Sequence, residues 1–103
     1  EPLRCPACQS EYLHHDRVEI FNRDREDSKS GLHLAVEHTA AVSYNHMQGN
    51  PSKRRDGLRI YLSCEECPAF SVVDLVQHKG QTFCTLTLLG RQRLEKLEEK
   101  GTR

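Results

Sequence analysis

Four of the five cysteines in this 103-residue chain form two C-x-x-C pairs, Cys5 with Cys8 and Cys64 with Cys67. Two residues between the thiols allow one tight turn to direct both sulfurs toward a single ion, and Pro6 stiffens the first turn. Two such turns facing each other complete a tetrahedral set of thiolates, which is a ligand set of structural zinc. The spacing therefore predicts a zinc site made of these four cysteines.

The two pairs are far apart in the chain, because the 55 residues 9–63 separate them, against roughly 15–20 in compact zinc modules. The entropic cost of closing a loop rises slowly with its length, so an internally folded insertion is compatible with the site. Iron in a four-thiolate site, a disulfide framework and a redox C-x-x-C motif are the alternatives. The fifth cysteine, Cys84, lies in an apolar alternation and is predicted to be a buried, inert thiol.

The six histidines do not form a recognisable catalytic pattern with a nucleophile or a pair of carboxylates. His14 and His15 are neighbours, and neighbours in a strand point to opposite faces, so they are poorly placed to share one ion. Asn45 and His46 supply two letters of a His-Asn-His nuclease, but a turn-rich loop follows them instead of the helix such a site needs. The chain is therefore predicted not to be an enzyme, with a metal-dependent nuclease as a minor alternative.

Strand patterns dominate the segments that must position the cysteines. Residues 32–44 alternate between apolar and polar types and are expected to break into two strands near Thr39. In residues 58–64, Leu58, Ile60 and Leu62 mark the inward parity, so this strand leads directly to Cys64. Shorter patterns cover residues 18–21, 70–76 and 82–89, with a hairpin turn at residues 77–81 before the last. The fold class is therefore predicted to be mostly β, a small antiparallel sheet of about five strands with zinc-ribbon-like knuckles.

Composition predicts one domain and a tail. The hydrophobic fraction is 36%, against roughly 45–50% in average domains, so the core is expected to be thin and to need the metal. Residues 1–89 are predicted to form the zinc-ribbon-like β domain, and residues 90–103 a C-terminal tail that is helical or disordered. No apolar run approaches the roughly 18 residues of a membrane span, and a cytoplasmic protein without membrane contact is expected.

The formal net charge of zero hides an uneven distribution, because residues 1–50 carry five basic and eight acidic residues, and residues 51–103 carry ten and seven. A protein partner or self-association through a sheet face or edge is the favoured hypothesis. The alternative is nucleic-acid binding by one basic face. The residues proposed for that face are Lys53, Arg54, Arg55, Arg59 and Lys79.

The order of these motifs over residues 3–84 resembles a family of small bacterial proteins that are associated with mobile elements and have a zinc-ribbon-like core. The resemblance implies metal thiolates at Cys5, Cys8, Cys64 and Cys67, and it implies no enzymatic activity. It rests on the two C-x-x-C pairs and on the segments 12–15 (YLHH), 18–21 (VEIF), 50–58 (NPSKRRDGL), 77–80 (QHKG) and 82–83 (TF).

Overall fold

A computed structural model describes residues 1–90, which form one six-stranded antiparallel sheet. The predicted fold class is confirmed, with one strand more than expected, and no helix occurs among these residues. The predicted tail lies, from residue 91 onward, outside the described residues. The strands are β1 (Leu13–Arg23), β2 (Ser30–Glu37), β3 (Ala40–His46), β4 (Gly57–Cys64), β5 (Phe70–His78) and β6 (Gln81–Gly90), in the spatial order β3-β2-β1-β4-β5-β6.

Two tight turns connect the outer strands of the sheet. The expected break near Thr39 is a two-residue turn in which His38 has a φ of 53°. The turn between β5 and β6 places Lys79 and Gly80 at φ values of 51° and 79°, as a type I′ hairpin turn requires. The hairpin turn predicted at residues 77–81 is therefore confirmed.

One face of the sheet, hereafter the charged face, collects ionisable side chains from strands β1, β2, β4 and β5. Register partners lie directly opposite each other and share a face. Arg17 pairs with Glu37 and Tyr61, and Glu19 pairs with Arg59. Arg17, Glu19 and Glu37 are all buried. The charged face consists of Arg17, Glu19, Phe21, His33, Glu37, Tyr44, Arg59, Tyr61 and Asp74.

The opposite face, hereafter the apolar face, is aliphatic across five of the six strands. Its register positions between residues 18 and 88 include no lysine, arginine, aspartate or glutamate. Most of its side chains are half-buried, and Leu32 at one end is 51% exposed. The apolar face consists of Val18, Ile20, Leu32, Leu34, Val36, Leu58, Ile60, Val73, Leu75, Leu86 and Leu88.

A β-bulge in β1 aligns these two faces with the rest of the sheet. His15 pairs with Leu62, whereas Arg17 pairs with Tyr61, so Asp16 is an extra residue in the β1 strand. If Asp16 were instead paired with Tyr61 in a regular ladder, Arg17 would lie opposite Ile60 and its guanidinium would share a face with aliphatic side chains. The bulge therefore keeps Arg17 on the charged face.

The distribution of burial differs from the expected one. Alternation alone predicts that the apolar parity of β2, with Leu32, Leu34 and Val36, is the buried one, but the more buried parity carries His33, Ala35 and Glu37. Strand β1 is also much longer than the predicted segment 18–21. Charged residues occupy buried positions in both strands, so hydrophobic alternation marks the wrong face in β2 and obscures the length of β1.

No described residue belongs to a helix with the length and hydropathy needed to cross a membrane. The described chain buries few large side chains, and Phe21 in β1 is the largest that is fully covered. The Phe21 ring stacks on the His33 ring with their centroids 4.1 Å apart. Phe21 therefore links the apolar part of the core to the charged face.

We expect Phe21→Ala to lower the free energy of unfolding by about 3–5 kcal/mol, because it removes a fully buried aromatic ring and leaves a cavity. Phe83→Ala is the matched control, since Phe83 is 46% exposed and its loss should cost less than about 1 kcal/mol. Urea unfolding followed by circular dichroism measures both values. Equal losses in the two variants would contradict the burial assigned to Phe21.

Candidate metal centre

The first C-x-x-C pair forms a compact turn before β1. The Cys5 N–H donates to the Ser10 carbonyl at 2.8 Å, and the Gln9 N–H donates to the Cys5 carbonyl at 2.8 Å. Gln9 takes a φ of 69°, which brings the chain back toward its start. Within this turn the Ala7 N–H points to the Cys5 sulfur at 3.4 Å. The turn thus places a backbone dipole against a thiol that is almost completely buried.

The second C-x-x-C pair forms the turn between β4 and β5 and shares two of the hydrogen bonds of the first turn. The Cys64 N–H donates to the Ala69 carbonyl at 3.2 Å, which repeats the spacing of five residues between Cys5 and Ser10. The Glu66 N–H points to the Cys64 sulfur at 3.4 Å. Both turns therefore direct an N–H group at the first sulfur of their pair, as two knuckles of one site, whereas Pro68 stands at the position of Gln9 and has no N–H to donate.

The four sulfurs converge, and all lie within 4.8 Å of one another. The sulfur of Cys5 is 3.7 Å from that of Cys67, and the sulfur of Cys8 is 3.6 Å from that of Cys64. These distances exclude disulfides, which need about 2.05 Å, and all four thiols are free. A tetrahedron with metal–sulfur bonds of about 2.3 Å has edges of about 3.8 Å. The observed distances therefore fit sulfurs arranged around one tetrahedral ion.

The pKa values of the cluster show that its thiols compete for ionisation. Burial opposes ionisation of Cys5, but N–H groups of Cys8 and Ala7 and the sulfurs of Cys67 and Cys64 outweigh it and lower the pKa to about 7. For Cys8 the Ser10 N–H favours the thiolate. Partial desolvation and the three neighbouring sulfurs outweigh that contact and raise its pKa to about 12. Four adjacent thiolates thus need a cation to neutralise them.

The arrangement can hold a metal ion, and its donor set limits the chemistry. Four thiolates fill a tetrahedron and leave no coordination position for water or substrate, which is the mark of a structural site. A tetrahedral set of four sulfurs suits zinc or iron. The four cysteines therefore fit a metal ion, and the distances between their sulfurs suit zinc and iron equally.

The residues predicted to contact nucleic acid are divided between two parts of the structure. Lys53 and Arg54 line a groove at the end of the sheet together with Phe83 and His78, and Lys79 is exposed in the adjacent turn. Arg59 lies instead on the charged face. There its Nε and Nη2 groups donate to both oxygens of Asp74 at 2.6 and 2.9 Å. The predicted basic surface is therefore not one uniform patch.

Acidic side chains of the β1–β2 loop neutralise much of the basic loop. Arg54 donates from Nε and Nη2 to the two carboxylate oxygens of Asp27, at 2.8 and 3.0 Å. Arg54 also contacts Glu26, which pairs with Arg55 as well. The hydrogen bonds and charge of Arg54 lower the pKa of Asp27. Two of the three adjacent basic residues are therefore paired with carboxylates of the same chain.

Sequence reasoning missed Arg23, which joins the two loops at this end of the sheet. Its Nε donates to the Arg55 carbonyl and its Nη2 to the Ser52 carbonyl, both at 2.8 Å. The carboxylate of Asp56 accepts the Arg23 N–H at 2.8 Å. A lone arginine at a strand end gives no sequence signal for this role, because its partners are main-chain atoms of a distant loop.

The buried network of the charged face was also missed. Arg17 lies 3.6 Å from Glu37 and above the Tyr61 ring, and the Tyr61 hydroxyl donates to Glu19 at 2.9 Å. Glu19 is 3.6 Å from His33. Buried charges need such partners, because desolvation alone would be strongly unfavourable. The cross-strand pairing of opposite charges becomes visible only when the register is known.

The prediction for Cys84 is wrong, because its thiol is exposed. It lies opposite Leu75 on the apolar side of the sheet, in the edge strand β6. The apolar alternation of β6 is real, but no other element covers that side among the described residues. Cys84 is therefore a free thiol apart from the four-cysteine cluster.

No family model, curated protein or solved structure gives a significant match to this chain. The fold and the site define the chain as a mostly-β protein with a four-cysteine cluster that can hold a metal ion.

We expect the charged face to weaken folding at alkaline pH. Burial, together with the carboxylate of Glu19, raises the pKa of Tyr61 to about 12, whereas an unfolded tyrosine has a pKa of about 10. The contribution is fully present below pH 10 and is lost as the pH rises toward 12, because only the unfolded chain releases the proton in that window. Unfolding free energies measured from pH 9 to 12 should show this loss in the wild type.

Tyr61→Phe isolates this effect from the titration of other groups. The variant keeps the ring under Arg17 and has no proton to release, so its unfolding free energy should fall less between pH 10 and 12. Parallel curves for the two proteins over this window would show that the Tyr61 hydroxyl is not held in its neutral form by folding.

Proposed function

We propose that this chain is a small zinc-stabilised module that mediates protein interaction, with a structural role for the metal. Zinc would be bound by Cys5, Cys8, Cys64 and Cys67. The observation that carries the proposal is the convergence of the four sulfurs, whose closest distances of 3.6 and 3.7 Å match the edges of a tetrahedral thiolate site. The closed donor set supports a structural ion over a catalytic one.

The place of the cluster in the fold supports the structural role. Residues 1–12 belong to no strand, and the cysteine cluster joins them to the turn between β4 and β5. A main-chain hydrogen bond also links these two segments, because the Glu65 N–H donates to the Tyr12 carbonyl at 2.9 Å. A bound ion would therefore fix the first knuckle on the sheet and hold the start of β1 in register with the end of β4.

Zinc is proposed over iron on chemical grounds. Zinc has no redox chemistry and fills four-thiolate structural sites with this C-x-x-C spacing. Of the four cluster cysteines only Cys5 is buried, and Cys8 is exposed. Such an open site gives little protection to a redox-active iron.

Free thiols in this number fit a reducing compartment, and we propose that the protein is cytoplasmic.

The surface favours protein over nucleic acid as the partner. Salt bridges with Asp27, Glu26 and Asp74 engage Arg54, Arg55 and Arg59, so phosphate contacts would have to displace carboxylates. The apolar face, in contrast, is a continuous aliphatic surface of a kind that marks interaction sites. The module is therefore proposed to bind a protein surface through its sheet.

We expect about one zinc ion per chain in protein purified without added metal, measured by elemental mass spectrometry. Cys64→Ser should lower the zinc content to a small fraction of this value and strongly destabilise the domain, because three thiolates bind the ion less tightly and the freed knuckle loses its link to the sheet. A chelator should have the same effect on the wild-type melting transition.

Cys84→Ser is the matched control, since it removes an exposed thiol outside the cluster and should leave zinc content and stability unchanged. A wild-type protein that contains no metal and melts cooperatively, unaffected by chelator, would overturn the structural-zinc proposal. Stoichiometric iron would overturn the choice of ion and keep the site.

We expect short single- and double-stranded DNA and RNA to show no measurable binding at low salt, because the basic loop is paired internally. Fluorescence anisotropy with labelled oligonucleotides measures this. Asp27→Asn is the informative variant: it removes one of the two carboxylates that pair with Arg54 and should increase binding. Affinity in the wild type that falls as salt is raised would favour the nucleic-acid alternative.

A further inference from the structure

No strand among the described residues packs on the apolar face, whose side chains are mostly half-buried, with Val73 buried and both Leu32 and Leu88 exposed. Its eleven side chains extend from Leu32 on β2 to Leu88 on β6, which are 51% and 43% exposed. The positions that interrupt it are small or uncharged, such as Ser43 and Ser71. Single exposed hydrophobic residues are common on proteins, but a contiguous aliphatic face of this extent marks an interface.

The size of this face matches the surface that a stable dimer needs. Five strands about 4.8 Å apart, each of about eight residues that rise about 3.3 Å, give a footprint of about 630 Å². Two such faces in contact would bury about 1,300 Å² in total, at the lower end of the range of specific interfaces. The face is thus large enough for stable association with an equal surface.

We propose that the apolar face binds the apolar face of a second copy of this chain, forming a two-layer β-sandwich with a shared core. This inference rests on the proposed function, since it names the partner of the same interaction module. A second copy presents an equally uncharged, equally large surface, and a two-fold axis brings identical patches together. Two twisted sheets pack in this way about 10 Å apart, with their strands roughly aligned.

Residues 91–103 are a less suitable occupant on chemical grounds. They contain two aliphatic side chains, Leu94 and Leu97, among many charged ones. Two leucines cannot cover eleven aliphatic side chains on five strands. The charged face is also unsuited to association, because its arginine and carboxylate side chains already pair with each other. The apolar face therefore calls for a partner of its own size and polarity.

Light scattering coupled to size exclusion tests the proposal on the full, metal-loaded chain. The expected mass is twice the 11.9 kDa of one chain. Leu86→Glu introduces a charge on the apolar face of an edge strand, and self-association should weaken roughly a hundredfold, because burying an unpaired charge is strongly unfavourable. Thr87→Glu, on the opposite face of the same strand, is the matched control and should remain dimeric.

Leu32→Glu provides a second test at the other end of the face, where the exposed side chain tolerates substitution without loss of the fold. Circular dichroism establishes that each variant is folded. A monomeric wild type at all accessible concentrations would overturn the proposal. A dimer that persists in both Leu32→Glu and Leu86→Glu would overturn it as well, since the interface would then lie elsewhere.

Alkylation of Cys84 gives an independent readout of the same face. Its thiol is exposed in the single chain, so a face-to-face dimer should slow its modification, and Leu86→Glu should restore it. A monomeric protein whose Cys84 is protected would assign the face to another segment of the chain and overturn the proposal. Zinc content is measured separately, so a dimer without metal would contradict the proposed metal role and leave the interface standing.

Discussion

The antiparallel pairing of β1 with β4 is the constraint on which the rest of the structure depends. It joins the two halves of the sheet, because β1 also pairs with β2 and β4 also pairs with β5. At one end it sets Leu13 opposite Cys64 and so brings the two knuckles together. Further along it sets Glu19 opposite Arg59 and Arg17 opposite Tyr61. One register therefore determines the cysteine cluster, the buried charges and the composition of both faces.

Secondary structure was largely predictable from the sequence because strands need only local patterns. Alternation located β2, β3, β4 and β6, a run of apolar and β-branched residues located β5, and the glycine at position 80 marked its hairpin turn. Which face is buried was not predictable in β2. There the more buried parity carries His33 and Glu37, and their burial depends on partners such as Glu19 and Arg17 from β1. The hydrophobic pattern marks one face as apolar, but only the register shows which side has covering partners.

The same division between local and distant information applies to the site. The two C-x-x-C pairs predicted the cluster because the turn geometry around each pair is local, and the structure brings all four sulfurs together. The basic loop looked available for phosphate because its partners, Glu26 and Asp27, lie on another loop more than twenty residues earlier. Cys84 looked buried because its strand is apolar, although that side of β6 has no covering element among the described residues. Charge pairing and exposure are properties of the assembled sheet.

The bulge at Asp16 explains how the metal site and the two faces coexist in one strand. The knuckles require His15 opposite Leu62 and Leu13 opposite Cys64, whereas the faces require Arg17 opposite Tyr61, a register that differs by one residue. A slip of one residue exchanges the two faces of a strand, so pairing Asp16 in a regular ladder, without the bulge, would misplace either the cluster or the charged network. An ion in the cluster would oppose such slippage from one end, and the mutual pairing of buried charges opposes it from the other. The metal would thereby keep the aliphatic side chains together on the face that is left open for a partner.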